Sequence, residues 1–259
     1  MKRVGLVVLL VIAVVLPLAA GIALYVINNS QFAKLAYLSF VPTWLLFVVQ
    51  LAYRHWDRFY FLVERTRLRL LGAGATCSFD AEFKVPDINA ERVKQLADDL
   101  RAGDKASRLI AQESMKVVFQ MQGMTVAVSG HARGEVTPVS DSATLVVQIV
   151  EATWPFRKAI QVASESAPAL FEQASKTIAA TGEKYSVDVR FGAGNPYFGF
   201  FVRNLNLAAV DRFIVEMHLE AQGDPKAAFL HANNHHLTIT TRKSSILASV
   251  SKRYIALSS

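Results

Sequence analysis

The sequence predicts an α+β protein: an N-terminal two-helix transmembrane hairpin, then a cytoplasmic antiparallel-sheet domain with helices packed on it. Three observations lead there. Two long stretches near the start carry no charge. The hydrophobic period then changes to two over several later segments, the mark of half-buried strands. Amphipathic helical stretches stand between those segments.

The composition agrees. Of 259 residues, 52% are apolar and only 19% are charged, against about a quarter in ordinary soluble chains. Disorder and collagen-like repeats are excluded. The single cysteine, Cys77, excludes an intrachain disulfide and any multi-cysteine metal site.

Residues 4–27 (VGLVVLLVIAVVLPLAAGIALYVI) hold no charged side chain. A helix needs about 20 such residues to cross hydrocarbon. Residues 36–53 (AYLSFVPTWLLFVVQLAY) form a second, shorter run. Pro17 and Pro42 fall inside these runs, where membrane helices tolerate a kink. The connector 28–35 is too short to hold a domain. The competing reading is a cleaved signal peptide, with Lys2 and Arg3 as its basic start and Leu18, Ala19 and Ala20 as a cleavage site. The apolar run continues past Ala20 and a second run follows, which favours the hairpin.

Lys2 and Arg3 precede the first run, only Lys34 lies between the runs, and Arg54, Arg58, Arg65, Arg67 and Arg69 follow the second. The positive-inside rule then puts both termini in the cytoplasm, with the plasma or inner membrane as the location. Residues 54–75 read as a basic amphipathic helix and joint. Arg54, Trp56, Arg58, Arg65, Arg67 and Arg69 sit at the headgroup level, and Gly72, Ala73, Gly74 and Ala75 form the joint. The three parts are thus the hairpin 1–53, the juxtamembrane segment 54–75 and the domain 76–259.

The sequence pI of about 9.6 invites a nucleic-acid reading. Its distribution argues against one. Residues 1–75 hold 8 Lys and Arg against 2 Asp and Glu, a net charge of +6. The remaining 20 basic and 19 acidic residues leave the domain near +1. No specific nucleic-acid partner is expected, because such binding needs a basic stripe on the binding domain.

Within the domain, Phe79, Ala81, Phe83 and Val85 alternate with polar residues as a strand, which Pro86 ends. Residues 88–102 read as a helix with Val93, Leu96, Ala97 and Leu100 on one face, capped by Asp87 or Asn89. Strands follow around 115–121, 124–128 and 145–149, with 130–142 as a loop. A second helix is expected over 167–181. Strands are expected at 184–192, 197–205, 211–221 and 235–241, and a last helix at 244–257. The order of one helix and three strands occurs twice, so an internal duplication of that unit is expected without residue-level identity.

Chemical motifs are absent: there is no P-loop, no G-x-S-x-G and no full dinucleotide fingerprint. No cofactor, metal or catalytic residue is expected. His231, His235 and His236 flank a turn-like Ala232, Asn233 and Asn234 and read as surface histidines. Cys77 reads as a structural thiol.

The most unusual segment is 190–203 (RFGAGNPYFGFFVR). Read as a hairpin, it places Arg190, Asn195, Tyr197 and Arg203 as a ligand-binding set: arginines for an anion, a ring for stacking and an amide in the turn. The plainer reading is a hairpin whose aromatics fill the core.

The function expected from these features is that of a membrane-anchored, non-enzymatic sensor or effector. Its cytoplasmic domain binds a small anionic or nucleotide-like ligand, or a protein, and the chain forms homo-oligomers in the lipid bilayer. In outline it is similar to bacterial defence effectors, by architecture alone. A scaffold or accessory subunit of a larger membrane complex is the alternative, and a motif-free enzyme is a third.

Overall fold

The computed structural model describes residues 31–70, 74–132, 143–192, 194–202, 214–221 and 223–255, together with Ala19 and Ile22. The chain divides into two compact units, Met1–Val63 and Glu64–Ser259.

In the first unit, helix α1 (Gln31–His55) contains the second uncharged run and passes through Pro42. Trp56 interrupts the helical geometry, and α2 (Asp57–Leu70), whose residues from Glu64 on belong to the second unit, starts with Asp57 in its first turn, where a carboxylate favours the helix dipole. The single helix expected over 54–72 is therefore two helices meeting at Trp56. Hydrogen bonds from Trp56 N to Ala52 O at 2.8 Å and from Tyr60 N to Trp56 O at 3.0 Å carry the chain through the junction. The rings of Tyr53 and Tyr60 pack 4.8 Å apart across it. Leu45, Leu46, Phe47 and Val49 are exposed along α1. Among the described residues no helix is long and apolar enough to cross a membrane, so the described helices do not support the two-span hairpin. The run 4–27 lies outside the described residues apart from Ala19 and Ile22.

The second unit is built on one nine-stranded antiparallel sheet. Strand β1 (Gly74–Val85) is followed by α3 (Ala90–Ala102). Then come β2 (Arg108–Glu113), β3 (Lys116–Met121), β4 (Met124–His131) and β5 (Ala143–Pro155). A helical stretch follows, made of α4 (Phe156–Gln161), a π-helical turn (Val162–Ser166) and α5 (Ala167–Thr177). After it come β6 (Gly182–Phe191), α6 (Pro196–Val202), β7 (Ile214–Ala221), β8 (Asp224–Asn233), β9 (His236–Thr241) and α7 (Ser244–Tyr254). The joint expected at 72–75 does not separate from the sheet: Gly74 and Ala75 already belong to β1.

Strict alternation explains why β1 sits at the centre. Ala75, Cys77, Phe79, Ala81, Phe83 and Val85 are buried, while the intervening side chains are half-buried or exposed. Each fully buried Phe or Val is worth about 1.5–3 kcal/mol relative to exposure. The amphipathic faces of α3, α5 and α7 supply Leu96, Leu100, Leu170, Phe171, Leu247 and Val250 to the same core. The helices thus gather on one face of the sheet. Of the two expected caps of α3, Asn89 is the one used: its Oδ1 accepts from Arg92 N at 2.8 Å, while Asp87 Oδ1 accepts from Ile88 N, ahead of the helix, at 2.8 Å.

The second helix starts eleven residues earlier than the expected 167, at Phe156. Pro168 has no N–H to give to the preceding turn. The backbone widens just before it, and Ala167 N reaches back to Val162 O, five residues away.

The strand order is β2-β3-β4-β5-β1-β6-β9-β8-β7. Reading outward from the central β1–β6 pair, β5, β4 and β3 match β9, β8 and β7. Each half opens with a strand and then a helix, α3 or α6, whose first turn follows an asparagine, Asn89 or Asn195. The expected helix-and-three-strand repeat is corrected here. The second set of three included 197–205, and residues 196–202 are helical.

Candidate functional site

Six strands, β1 and β5 to β9, line a groove of about 1060 Å³ at one end of the sheet. Lys84, next to last in β1, lies opposite Gly182 at the start of β6, and Glu82 pairs with Lys184. Thr241 ends β9 between Tyr185 and Ala228. The β7–β8 register sets His218 opposite Phe229. The turn after β9 and the start of α7 add Arg242 and Lys243, and the start of β8 adds Asp224 and Lys226.

Five cations therefore line the groove: Lys84, Lys184, Lys226, Arg242 and Lys243. Three carboxylates stand against them: Glu82, Glu183 and Asp224. The acids are already engaged. Glu82 pairs with Lys184 at 3.4 Å. Glu183 accepts from Tyr185 Oη at 2.6 Å and from Ser175 Oγ at 2.5 Å. Asp224 Oδ1 accepts from the Lys226 backbone N–H at 2.8 Å. Burial, followed by the hydrogen bond to Glu183, pushes the Tyr185 phenol well above its ordinary value, so it stays a neutral donor. Among the described residues, Lys84, Lys226, Arg242 and Lys243 have no ion-pair partner.

Two further features suit a ligand. The rings of His218 and Phe229 meet edge to face at 5.5 Å, and Phe229 is 37% exposed. The first turn of α7 also opens here, through Lys243 and Ile246. Its backbone N–H groups add positive potential to the same space. The arrangement can hold anionic oxygens beside an exposed ring. Among the described residues, no group of three His, Cys, Asp or Glu side chains is placed to hold a metal ion.

The residues singled out over 190–203 are not brought together as one site. There is no hairpin: β6 ends at Phe191 and α6 begins at Pro196. Arg190 is occupied, its Nε donating to His236 Nδ1 at 3.2 Å and Nη1 lying 3.8 Å from Glu151 Oε1. Asn195 is buried and binds backbone, donating from Nδ2 to Asn233 O at 2.7 Å and His236 O at 3.1 Å. Its Oδ1 accepts from Tyr197 N at 3.0 Å. Tyr197 is also buried, and its Oη donates to Tyr254 O at 2.6 Å. Burial raises that phenol far above the ordinary tyrosine range. Neither Asn195 nor Tyr197 is presented to a ligand. Arg203 lies outside the described residues.

The membrane-interface set divides too. Arg54, Trp56, Arg58, Arg67 and Arg69 are exposed and Arg65 is half-buried, while Arg67 pairs with the buried Glu64 at 3.1 Å. Gly72 and Ala73 lie outside the described residues.

Of the three histidines singled out in the sequence, His231 and His236 lie in the sheet and His235 in the turn between β8 and β9, its N–H donating to Asn233 Oδ1 at 2.9 Å. His231 lies on β8 rather than in a loop, with Nδ1 3.2 Å from Glu216 Oε1. His236 Nδ1 lies 3.3 Å from Asp188 Oδ1, and Thr238 Oγ1 donates to Asp188 Oδ2 at 2.9 Å. Cys77 is buried in β1, and burial pushes its thiol up to about 12, beyond nucleophilic use at neutral pH.

The groove escaped sequence reasoning because its residues are scattered from Lys84 to Lys243 with no fixed spacing. The one local signal was the pair Arg242 and Lys243 directly after a strand. No family model and no curated protein matches this chain.

Proposed function

We propose that this chain is a membrane-anchored, non-enzymatic binding protein whose α+β domain takes a small phosphate-bearing, nucleotide-like anion in the groove between Lys84, Lys226, Arg242 and Lys243. The observation that carries the reading is the excess of cations without partners beside the exposed Phe229 ring. Charge-assisted hydrogen bonds to phosphate oxygens are strong, and an aromatic face stacks on any base. An excess of two positive charges suits one di- or triphosphate. A polymer would need several more neutralised phosphates.

Membrane anchoring rests on the sequence. The uncharged run 4–27 is long enough to span, and the arginines after residue 53 suit the headgroup level. The exposed apolar residues of α1 are in keeping with a lipid or helix neighbour. A duplication with its unit redrawn, a strand and a helix followed by strands, belongs to this reading as well: two halves joined at β1–β6, of which the second carries most of the groove.

The test is calorimetric titration of the full chain in detergent micelles with ATP, ADP, pyrophosphate and inorganic phosphate. Binding is expected for the nucleotides. Arg242→Ala should weaken it roughly ten- to a hundred-fold, the cost of one charge-assisted contact. No binding by any of the four at millimolar concentration would sink the reading, as would affinity unchanged in Arg242→Ala.

A further inference from the structure

The two ends of the sheet differ in a way that assigns one of them a partner. All six side chains of β2 are exposed. An edge strand offers unpaired N–H and C=O groups to any matching strand. Such edges are normally guarded by lysine, proline, inward charge or a bulge. β2 (RLIAQE) has no lysine or proline, and its charges stand only at its ends. Its middle holds Leu109 and Ile110, 40% and 55% exposed. Its one irregularity is a register shift between Leu109 and Ala111 against β3.

The only charges of β2 stand at its two ends and are opposite in sign. The extra residue of the bulge, Ile110, falls on the same face as Ala111, so the strand, turned antiparallel on a second copy of itself, can set Arg108 opposite Glu113, Leu109 opposite Gln112 and Ile110 opposite Ala111. Both ends then carry an attractive pair. Among the described residues neither Arg108 nor Glu113 forms an ion pair, and Lys116 of β3 stands opposite Glu113 in register. Directly opposed unlike charges support strand pairing, and like charges oppose it.

The other edge, β7, behaves in the opposite way. It carries Glu216 and Glu220 and no lysine or arginine. Two copies of β7 would bring four carboxylates into one ribbon. A head-to-tail β2–β7 contact would satisfy Arg108 but set Glu113 near the β7 glutamates. The charge pattern thus favours a closed two-fold contact over an open chain of subunits.

We propose that β2 is a self-recognition edge, and that two copies of this chain pair through antiparallel β2 strands into one continuous sheet twice as wide. The test is sedimentation of the full chain in detergent micelles, with the micelle density-matched. The wild type is expected to be a dimer. Arg108→Glu and Glu113→Arg should each raise the dimer dissociation constant roughly tenfold or more, because each reversal turns two attractive pairs into two repulsive ones. The double variant Arg108→Glu/Glu113→Arg should restore the dimer. A monomeric wild type, or a mass indifferent to both single reversals, would overturn the proposal. So would a double variant that melts like wild type yet stays monomeric. A second measurement covers any variant that folds poorly. Leu109→Cys/Gln112→Cys places the new thiols opposite each other across the two-fold, within disulfide reach. The one native thiol, Cys77, is buried and does not compete. Mild oxidation should give a covalent dimer, and its absence would overturn the proposal equally.

Discussion

Asn195 holds Asn233: its buried amide donates to the Asn233 carbonyl at 2.7 Å and extends to the His236 carbonyl at 3.1 Å. One side chain thus ties the start of α6 to the turn between β8 and β9. Alanine there leaves two carbonyls short of a donor and α6 without its cap. Asn195→Ala should lose about 2–3 kcal/mol of stability. Denaturant unfolding of the full chain checks this. Nucleotide affinity should stay unchanged, since the groove lies at the other end of β9.

Tyr197 tests the same point more gently. Tyr197→Phe keeps the ring that packs 6.3 Å from Tyr254 and removes only the hydroxyl that donates to Tyr254 O. The expected loss is about 0.5–1.5 kcal/mol, read as a lower melting temperature without a change in ligand binding.

Phe229 separates base recognition from phosphate recognition. Phe229→Ala should weaken nucleotide binding by about 1–3 kcal/mol, the usual worth of one base–aromatic stack. Pyrophosphate affinity should stay the same. Titration of both ligands against one variant distinguishes a ring that stacks from one that merely shapes the groove.

Asp80 gives a pH dependence. It stands half-buried on the face away from the helices, and burial raises its carboxyl above the ordinary value, outweighing the opposing hydrogen bond to Gln148. Above the raised folded value the carboxylate is charged in both states, and burial costs stability. As pH falls through that value the folded state takes up the proton first and the penalty fades. Below the unfolded value of about 3.9 both states are protonated. Asp80→Asn should therefore stabilise the protein at neutral pH, and the gain should vanish in acid. Melting curves of both forms across that range are the check.

Cys77 should be silent in the folded protein. With its thiol buried and pushed to about 12, reaction with a thiol reagent at pH 8 should run roughly a hundred-fold slower than in denaturant. Fast labelling of the native chain would show that β1 opens at its centre.

The strands that alternate strictly were legible from sequence. Phe79, Ala81, Phe83 and Val85 in β1, and Leu145, Val147 and Ile149 in β5, each report which side faces the core. β8 was not legible, because buried Ala227 and Ala228 are adjacent and break the period of two, and Pro225 stands at its start. Residues 197–202 misled in the opposite way. Phe198 and Phe200 alternate like a strand, yet Asn195 as cap and Pro196 at the first helical position start a helix. Those two residues were signals that the aromatic pattern outweighed. The candidate groove was the least legible part. Its lysines come from three strands and a helix start, and only the sheet register makes them neighbours.

The β1–β6 seam bears on how the chain is made. Residues 74–155 supply five neighbouring strands, and all of them leave the ribosome before β6 (Gly182–Phe191) exists. During that interval β1, with Phe79 and Phe83 facing one side, forms the open margin of a half-finished sheet. Exposed margins of this kind invite mispairing during synthesis. Translation of β6 converts the most hazardous edge of the nascent chain into the centre of the finished one. A pause or truncation between residues 156 and 181 therefore strands the protein at its most aggregation-prone length.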